Sequence, residues 1–179
     1  MERPSEGEER SREAAMVAAV GALRRRERTV AEMHEWLTGR DVRSDVIDAV
    51  ISDLTEVGEL DDDRFGREFA RDKRELSGWG PERIEAALVD RGLERSLAES
   101  VAVEGHDEQL ERATAQVRGR FGELRDDGDR NRALQFLARR GYGYELAYDA
   151  VRRAGREVAR VAAATCPLYD RRSGSAASG

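Results

Sequence analysis

The chain repeats itself. When MHEWLTGRDVRSDVIDAV (33–50), IEAALVDRGLERSLAESV (84–101) and ALQFLARRGYGYELAYDA (133–150) are stacked, Leu37, Leu88 and Leu137 fall in register, 51 and then 49 residues apart. Arg40, Arg91 and Arg140 follow in step, then Val42, Leu93 and Tyr142, then Val46, Leu97 and Leu146. A period near 50 is what tandem helical units give, because each unit is one supersecondary element stacked on its neighbours. A chain of 179 residues divided in this way holds several thin cores rather than one deep one.

Within each copy the apolar spacing is helical. Met33, Trp36 and Leu37 follow an i, i+3, i+4 stripe, as do Ile84, Ala87 and Leu88. Gly92 and Gly141 stand where such a helix must end, since glycine enters the left-handed conformation without a Cβ clash. The first copy has Asp41 there, so its turn is built differently, from Gly39 or from a left-handed Asp. Val46, Ile47, Val50, Ile51 and Leu54 then mark the next helix.

A further helix precedes each pair. Ala15, Ala19 and Leu23 outline one, running to about Arg26. Asp61 or Asp62 caps a second, which carries Phe65, Phe69 and Leu76. It stops in Ser77-Gly78-Trp79-Gly80-Pro81, with Gly80 as the break and Pro81 as the first residue of the next helix. Leu110, Val117, Phe121 and Leu124 outline the third, followed by a loop over 125–130. The expectation is an all-α protein: three-helix units at 13–58, 59–105 and 106–155, stacked in an elongated curved array. Disordered tails are expected at 1–12 and, for most of its length, at 156–179.

Composition supports helices and narrows the function. Charged residues are 38% of the chain and aromatics 6%, a mixture dominated by unbranched side chains that lose little rotamer freedom in a helix. No apolar run approaches the roughly 20 residues that span a bilayer, and Met1 to Arg12 has no signal-type stretch. A cytoplasmic protein is expected. One cysteine, Cys166, and two histidines make neither an internal disulfide nor a Cys/His zinc site. There is no phosphate-cradling glycine loop and no nucleophile–base pair. No enzyme activity, cofactor or small-molecule substrate is therefore expected. The net charge of −6 argues against a simple nucleic-acid binder.

The run GELDDDRFGREFARDKRELSGWGPERIEAALVDRGL (58–93) resembles the central signature of RecX regulators. It carries Leu60-Asp61-Asp62-x-Arg64-Phe65, a small-residue turn before Pro81-x-Arg83-Ile84, and Leu88 with Arg91-Gly92-Leu93. FLARRGYGYELAYDAV (136–151) resembles that family's C-terminal signature, and the likeness spans roughly residues 13 to 155. Gly66 stands where the family usually has Ala. The resemblance implies a monomeric rod lying in the groove of a RecA–DNA filament. There it would bridge protomers and suppress ATP hydrolysis, coprotease activity and strand exchange, with DNA within or beside the filament as a second contact.

Individual residues have plain readings beside the functional ones. Asp61, Asp62 and Asp63 precede a helix, where carboxylates satisfy free N–H groups and oppose the positive helix end. Phe65, Phe69 and Trp36 read as core, and Trp79 as either a plug between units or a partner anchor. His34 and His106 have no catalytic neighbours and read as solvated. Of the basic residues around the central unit, Arg67 and Arg74 read as solvated. The partner-binding candidates are Asp62, Arg64, Arg71, Lys73, Trp79 and Arg83. The alternative function is a DNA-binding transcription regulator using a helix-turn-helix-like unit. The segments that would read a groove, 46–57 and 97–104, are acidic or apolar, which counts against it.

Overall fold

The computed structural model describes the backbone of residues 6–165 and the side chains of residues 6–156. Among the described residues there are nine helices and no strand. They are α1 (Glu6–Leu23), α2 (Val30–Thr38), α3 (Ser44–Glu56), α4 (Asp62–Ser77), α5 (Pro81–Asp90), α6 (Arg95–Ala102), α7 (His106–Phe121), α8 (Asp127–Ala138) and α9 (Tyr144–Thr165). Substantial helix–helix packing stays within consecutive triples: α1 to α3, α4 to α6 and α7 to α9. Each triple encloses its own core. The register leucines Leu37, Leu88 and Leu137 lie at 0% exposure in three different ones, and burying each is worth about 1.5–3 kcal/mol. Leu60, just past the expected end of the first unit, belongs to the first core.

Local chemistry explains most boundaries. Thr29 caps α2 in a capping box with Glu32, Asp61 caps α4 by accepting from the Arg64 amide at 2.9 Å, and Pro81 opens α5. Asp41 takes φ 58°, so the first unit keeps the left-handed turn and makes it with Asp, while Gly39 stays helical. Gly66 is explained by crowding: a Cβ there would stand 3.1 Å from Leu93 and 3.2 Å from Val101.

Several boundaries differ from the sequence reading. Helix α1 starts at Glu6, inside the expected tail, because Glu6, Glu8 and Glu9 sit at its positive end and Arg12 reaches Asp53 of α3 at 2.5 Å. Helix α9 continues to Thr165, through a stretch with neither glycine nor proline after Gly155. The expectations for 1–5, Cys166 and the rest of 166–179 lie outside the described residues. Gly78, not Gly80, stops α4: it takes φ 62° and returns its N–H to Arg74 while Trp79 N–H returns to Lys73. Gly80 instead precedes Pro81 as the cap of α5. The expected loop 125–130 is mostly helix, because Asp126 caps α8 by accepting from the Asp129 amide at 2.7 Å. Leu76 is 84% exposed, lying beyond the last turn of α4 that the second core covers. Leu124 lies in the loop after α7 and is buried all the same.

Candidate functional site

The three cores do not touch as apolar surfaces; polar groups join them. At the first junction the N-terminus of α2 meets the C-terminal turn of α5. The fully buried Thr29 hydroxyl donates to the Arg91 carbonyl at 2.8 Å, and the Val30 amide donates to Asp62 at 2.9 Å. Arg91 closes the contact with two parallel bonds to Glu32 at 2.8 and 2.9 Å, the geometry that suits a guanidinium and a carboxylate. At the second junction the N-terminus of α5 meets the C-terminal turn of α8. The Gly80 amide donates to the Arg140 carbonyl at 2.7 Å, the Glu82 amide to the Gly141 carbonyl at 3.2 Å, and Arg83 to the Arg139 carbonyl at 2.9 Å.

The two junctions share a layout, made by side-chain groups in the first and mainly by backbone amides in the second. A helix N-terminus, with free N–H groups and a partial positive charge, docks on the C-terminal turn of the corresponding helix in the next unit. The repeated Arg-Gly pair makes the docking turn. Added Cβ atoms would lie 2.3 Å from the Ala31 Cβ at Gly92 and 2.3 Å from the Arg83 amide at Gly141. The corresponding turn after α2 carries Asp41 in place of that glycine.

The second junction has a further layer. Tyr142 is 2% exposed; its hydroxyl donates to the Gly78 carbonyl at 3.1 Å and accepts from Gln116 at 2.8 Å and Arg112 at 3.1 Å. Glu104, in the segment joining α6 to α7, ion-pairs with Arg112 and lies 3.7 Å from Arg74. Arg74 in turn donates to the Val101 and Ala102 carbonyls that end α6.

These surroundings set the charges. The Glu104 hydrogen bonds, against some burial, raise the Arg112 guanidinium above its ordinary range. Burial pushes the Glu32 carboxyl up, but the Arg91 bonds and charge outweigh it and hold the group below its usual value. Burial raises Asp62, with the Val30 amide opposing and Asp61 and Glu32 adding repulsion. Burial lowers Arg28, helped by its cationic neighbours Arg26, Arg25 and Arg40.

The candidate residues divide between two roles. Asp62 and Arg83 are committed to the first and second junctions. Trp79 is half-buried, edge-on to Phe69 and capped by the Arg83 guanidinium 4.2 Å from its ring centre; Lys73 lies 5.0 Å above the same ring. Arg64 and Arg71 are exposed on α4, Arg64 donating to the Gly58 carbonyl and Arg71 sitting 3.8 Å from Asp72. Of the two residues read as solvated, Arg67 is exposed beside Asp63, whereas Arg74 is drawn into the Glu104 layer. Trp36 is half-buried beneath Arg40, whose guanidinium lies 3.5 Å from its ring centre, and His34 and His106 are exposed. Among the described residues no group of three His, Cys, Asp or Glu could hold a metal, and no helix is long and apolar enough to cross a membrane. The exposed side of α3 carries Asp45, Asp48 and Glu56, the wrong sign for a groove-reading helix.

Sequence reasoning passed over the Glu104–Arg112–Tyr142 layer and the arginine run 24–28. The run had a signal, four cations in five residues of an acidic chain. The layer had none, since Tyr142 meets partners 26 to 64 positions away, and Glu104 and Arg112, 8 apart, are unremarkable locally.

Comparison with known proteins gives a consistent result. A family model described as the second three-helix domain of RecX matches residues 61–101, and one described as the third matches 107–151. The regulatory protein RecX of Stenotrophomonas maltophilia strain K279a is 37% identical over 141 residues, covering 77% of this chain and 83% of that one. The regulatory protein RecX of Mycolicibacterium vanbaalenii is 32% identical over 161 residues, covering 83% and 87%. Among solved structures, RecX from Lactobacillus salivarius superposes with a TM-score of 0.75 at 20% identity, covering 80% of this chain and 96% of that one. That last likeness speaks to the fold alone.

Proposed function

Since this chain belongs to the RecX family of regulatory proteins, we propose that it binds the RecA recombinase filament and inhibits its ATPase, coprotease and strand-exchange activities. The observation that carries this reading is the pair of polar junctions, which holds three separately cored units in a row. Units docked through several directed hydrogen bonds keep a fixed spacing, so a row that touches two or more protomers gains avidity. It also favours whichever filament state matches that spacing, by its difference in affinity for the two states. Inhibition then needs no reacting group on this chain.

Arg64 and Arg71, exposed on α4, and Lys73, beside the Trp79 ring, are the proposed contacts. Asp62, Trp79 and Arg83 act through the junctions and the ring stack that orient α4 and α5. The test is recombinase ATPase on single-stranded DNA with substoichiometric amounts of this protein. Inhibition is expected, and charge reversal of Arg64, Arg71 and Lys73 together is expected to weaken it at least about tenfold, on the scale of two or three lost charge-assisted contacts. No inhibition up to equimolar protein would overturn the reading.

A further inference from the structure

The third unit is the positive end of an acidic chain. Residues 6–105 carry 25 carboxylates against 16 cationic side chains, and residues 106–156 carry nine against eleven. On this unit α8 and α9 leave an open groove of about 640 Å³. Its floor is aliphatic, made by Leu124 and Val151, 7% and 4% exposed, and the half-buried Leu134. Arg130, Arg152 and Arg156, all exposed, line it against one carboxylate, Asp127. Arg130 pairs with Asp127 and Arg152 with Asp149, but both pairs lie at the surface, where an ion pair is worth little and yields to a better acceptor. Tyr148 forms one wall and stacks on the exposed Tyr144, ring centres 6.5 Å apart. Gly155 completes the lining from the interior of α9, with nothing within 4 Å of an added Cβ. No packing contact requires a glycine there, and glycine is a poor residue for a helix interior. Its small size does keep the groove open.

We propose that this groove docks a segment of the recombinase in which an apolar side chain is flanked by carboxylates. The apolar side chain lies on Leu124, Leu134 and Val151 beside Gly155, and the carboxylates meet the exposed arginines at the rim. The choice of partner rests on the filament-binding reading, in which a row that bridges protomers needs contacts on more than one unit. Those on α4 all belong to the second unit; the groove gives the third unit one of its own. A single nucleic-acid strand suits the groove less. Such strands bind where a continuous positive track runs beside exposed rings, whereas here the phosphates would pass Asp127 and Asp149 and leave the aliphatic floor uncovered.

The experiment has two arms. In the first, the Val151 methyl resonances are followed by NMR while the full chain is titrated with a capped glutamyl-leucyl-glutamate tripeptide, its glutamine counterpart, or oligothymidylate. A saturable shift with the glutamate peptide is expected, at least about tenfold weaker with the glutamine form and in Gly155→Leu, whose side chain fills the groove. That side chain enters open space, so urea unfolding should find the variant no less stable than the unsubstituted chain. Arg152→Glu/Arg156→Glu, two exposed positions, should weaken the peptide to the same degree while leaving the groove open. Unmoved Val151 resonances, equal binding of the glutamine peptide, or tighter binding of oligothymidylate than of the glutamate peptide would overturn the proposal. In the second arm Gly155→Leu, with Arg64, Arg71 and Lys73 intact, is tested for filament binding. Affinity at least about tenfold lower is expected from losing one of two linked contacts, and unchanged affinity removes the docking role. If the unsubstituted chain does not bind the filament at all, the filament-binding reading fails, and the first arm alone decides the groove.

Discussion

Replacing Gly141 with alanine isolates what the Arg-Gly turn does. Gly141 sits at φ 80°, and a Cβ there would stand 2.3 Å from the Arg83 amide nitrogen and 2.5 Å from its Cβ. Gly58 makes the control, at φ 74° with nothing within 4 Å of the same added atom. Both substitutions force alanine into left-handed backbone at about 1–2 kcal/mol, less about 0.4–1 kcal/mol for the stiffer unfolded chain. Gly58→Ala should therefore cost about 1 kcal/mol. Gly141→Ala must also push α5 off the turn, breaking the bonds from Gly80, Glu82 and Arg83 to the 139–141 carbonyls. At about 1 kcal/mol each, these raise the total to about 4 kcal/mol. Urea unfolding followed by circular dichroism measures the two costs. Spin labels at the exposed Ser100 and Gln135 report the distance between the second and third units, expected to broaden or shift only in Gly141→Ala. Equal costs within about 0.5 kcal/mol, the usual error of such comparisons, together with an unchanged distance distribution, would refute the junction argument.

Three further outcomes are expected. Glu104→Gln removes the charge facing Arg112 and Arg74, each less than a quarter exposed, and should cost about 2–3 kcal/mol in urea unfolding; a loss below about 0.5 kcal/mol would mean the layer is only solvated surface. Tyr142→Phe deletes a hydroxyl with three partners and should cost about 1–3 kcal/mol while broadening the same label-to-label distance, with no broadening counting against its role in the junction. Glu32→Gln should cost about 2 kcal/mol at neutral pH by weakening the Arg91 pair. Because the folded Glu32 carboxyl is held below its ordinary 4.5, its contribution is complete above that value and is lost as pH falls through the lower folded one. The gap between the variant and the unsubstituted chain should therefore narrow by pH 3, and a gap of constant size would contradict the pairing.

The periodic leucines, the prolines and glycines and the capping aspartates made the helices and their triple grouping legible, because each acts on neighbours within a turn or two along the chain. The same local chemistry explains the errors. Three aspartates in 125–130 looked like a loop until Asp126 was seen to cap α8, and Gly78 and Gly80 were two plausible stops for one helix. For the candidate site, Arg64 and Arg71 lie exposed, whereas Asp62 and Arg83 proved to have partners inside the chain.

What the amino-acid order determined by itself was three small helical bundles, since helix periodicity and helix stops are properties of short stretches. Only the tertiary structure decided how the bundles join. The second junction runs largely through backbone amides and carbonyls, such as Gly80 to Arg140, and even in the first the Thr29 hydroxyl meets the Arg91 carbonyl; every residue carries a carbonyl and nearly every one an amide. A bond between such groups some sixty positions apart leaves almost no mark in residue identity beyond the glycine that lets the two backbones meet.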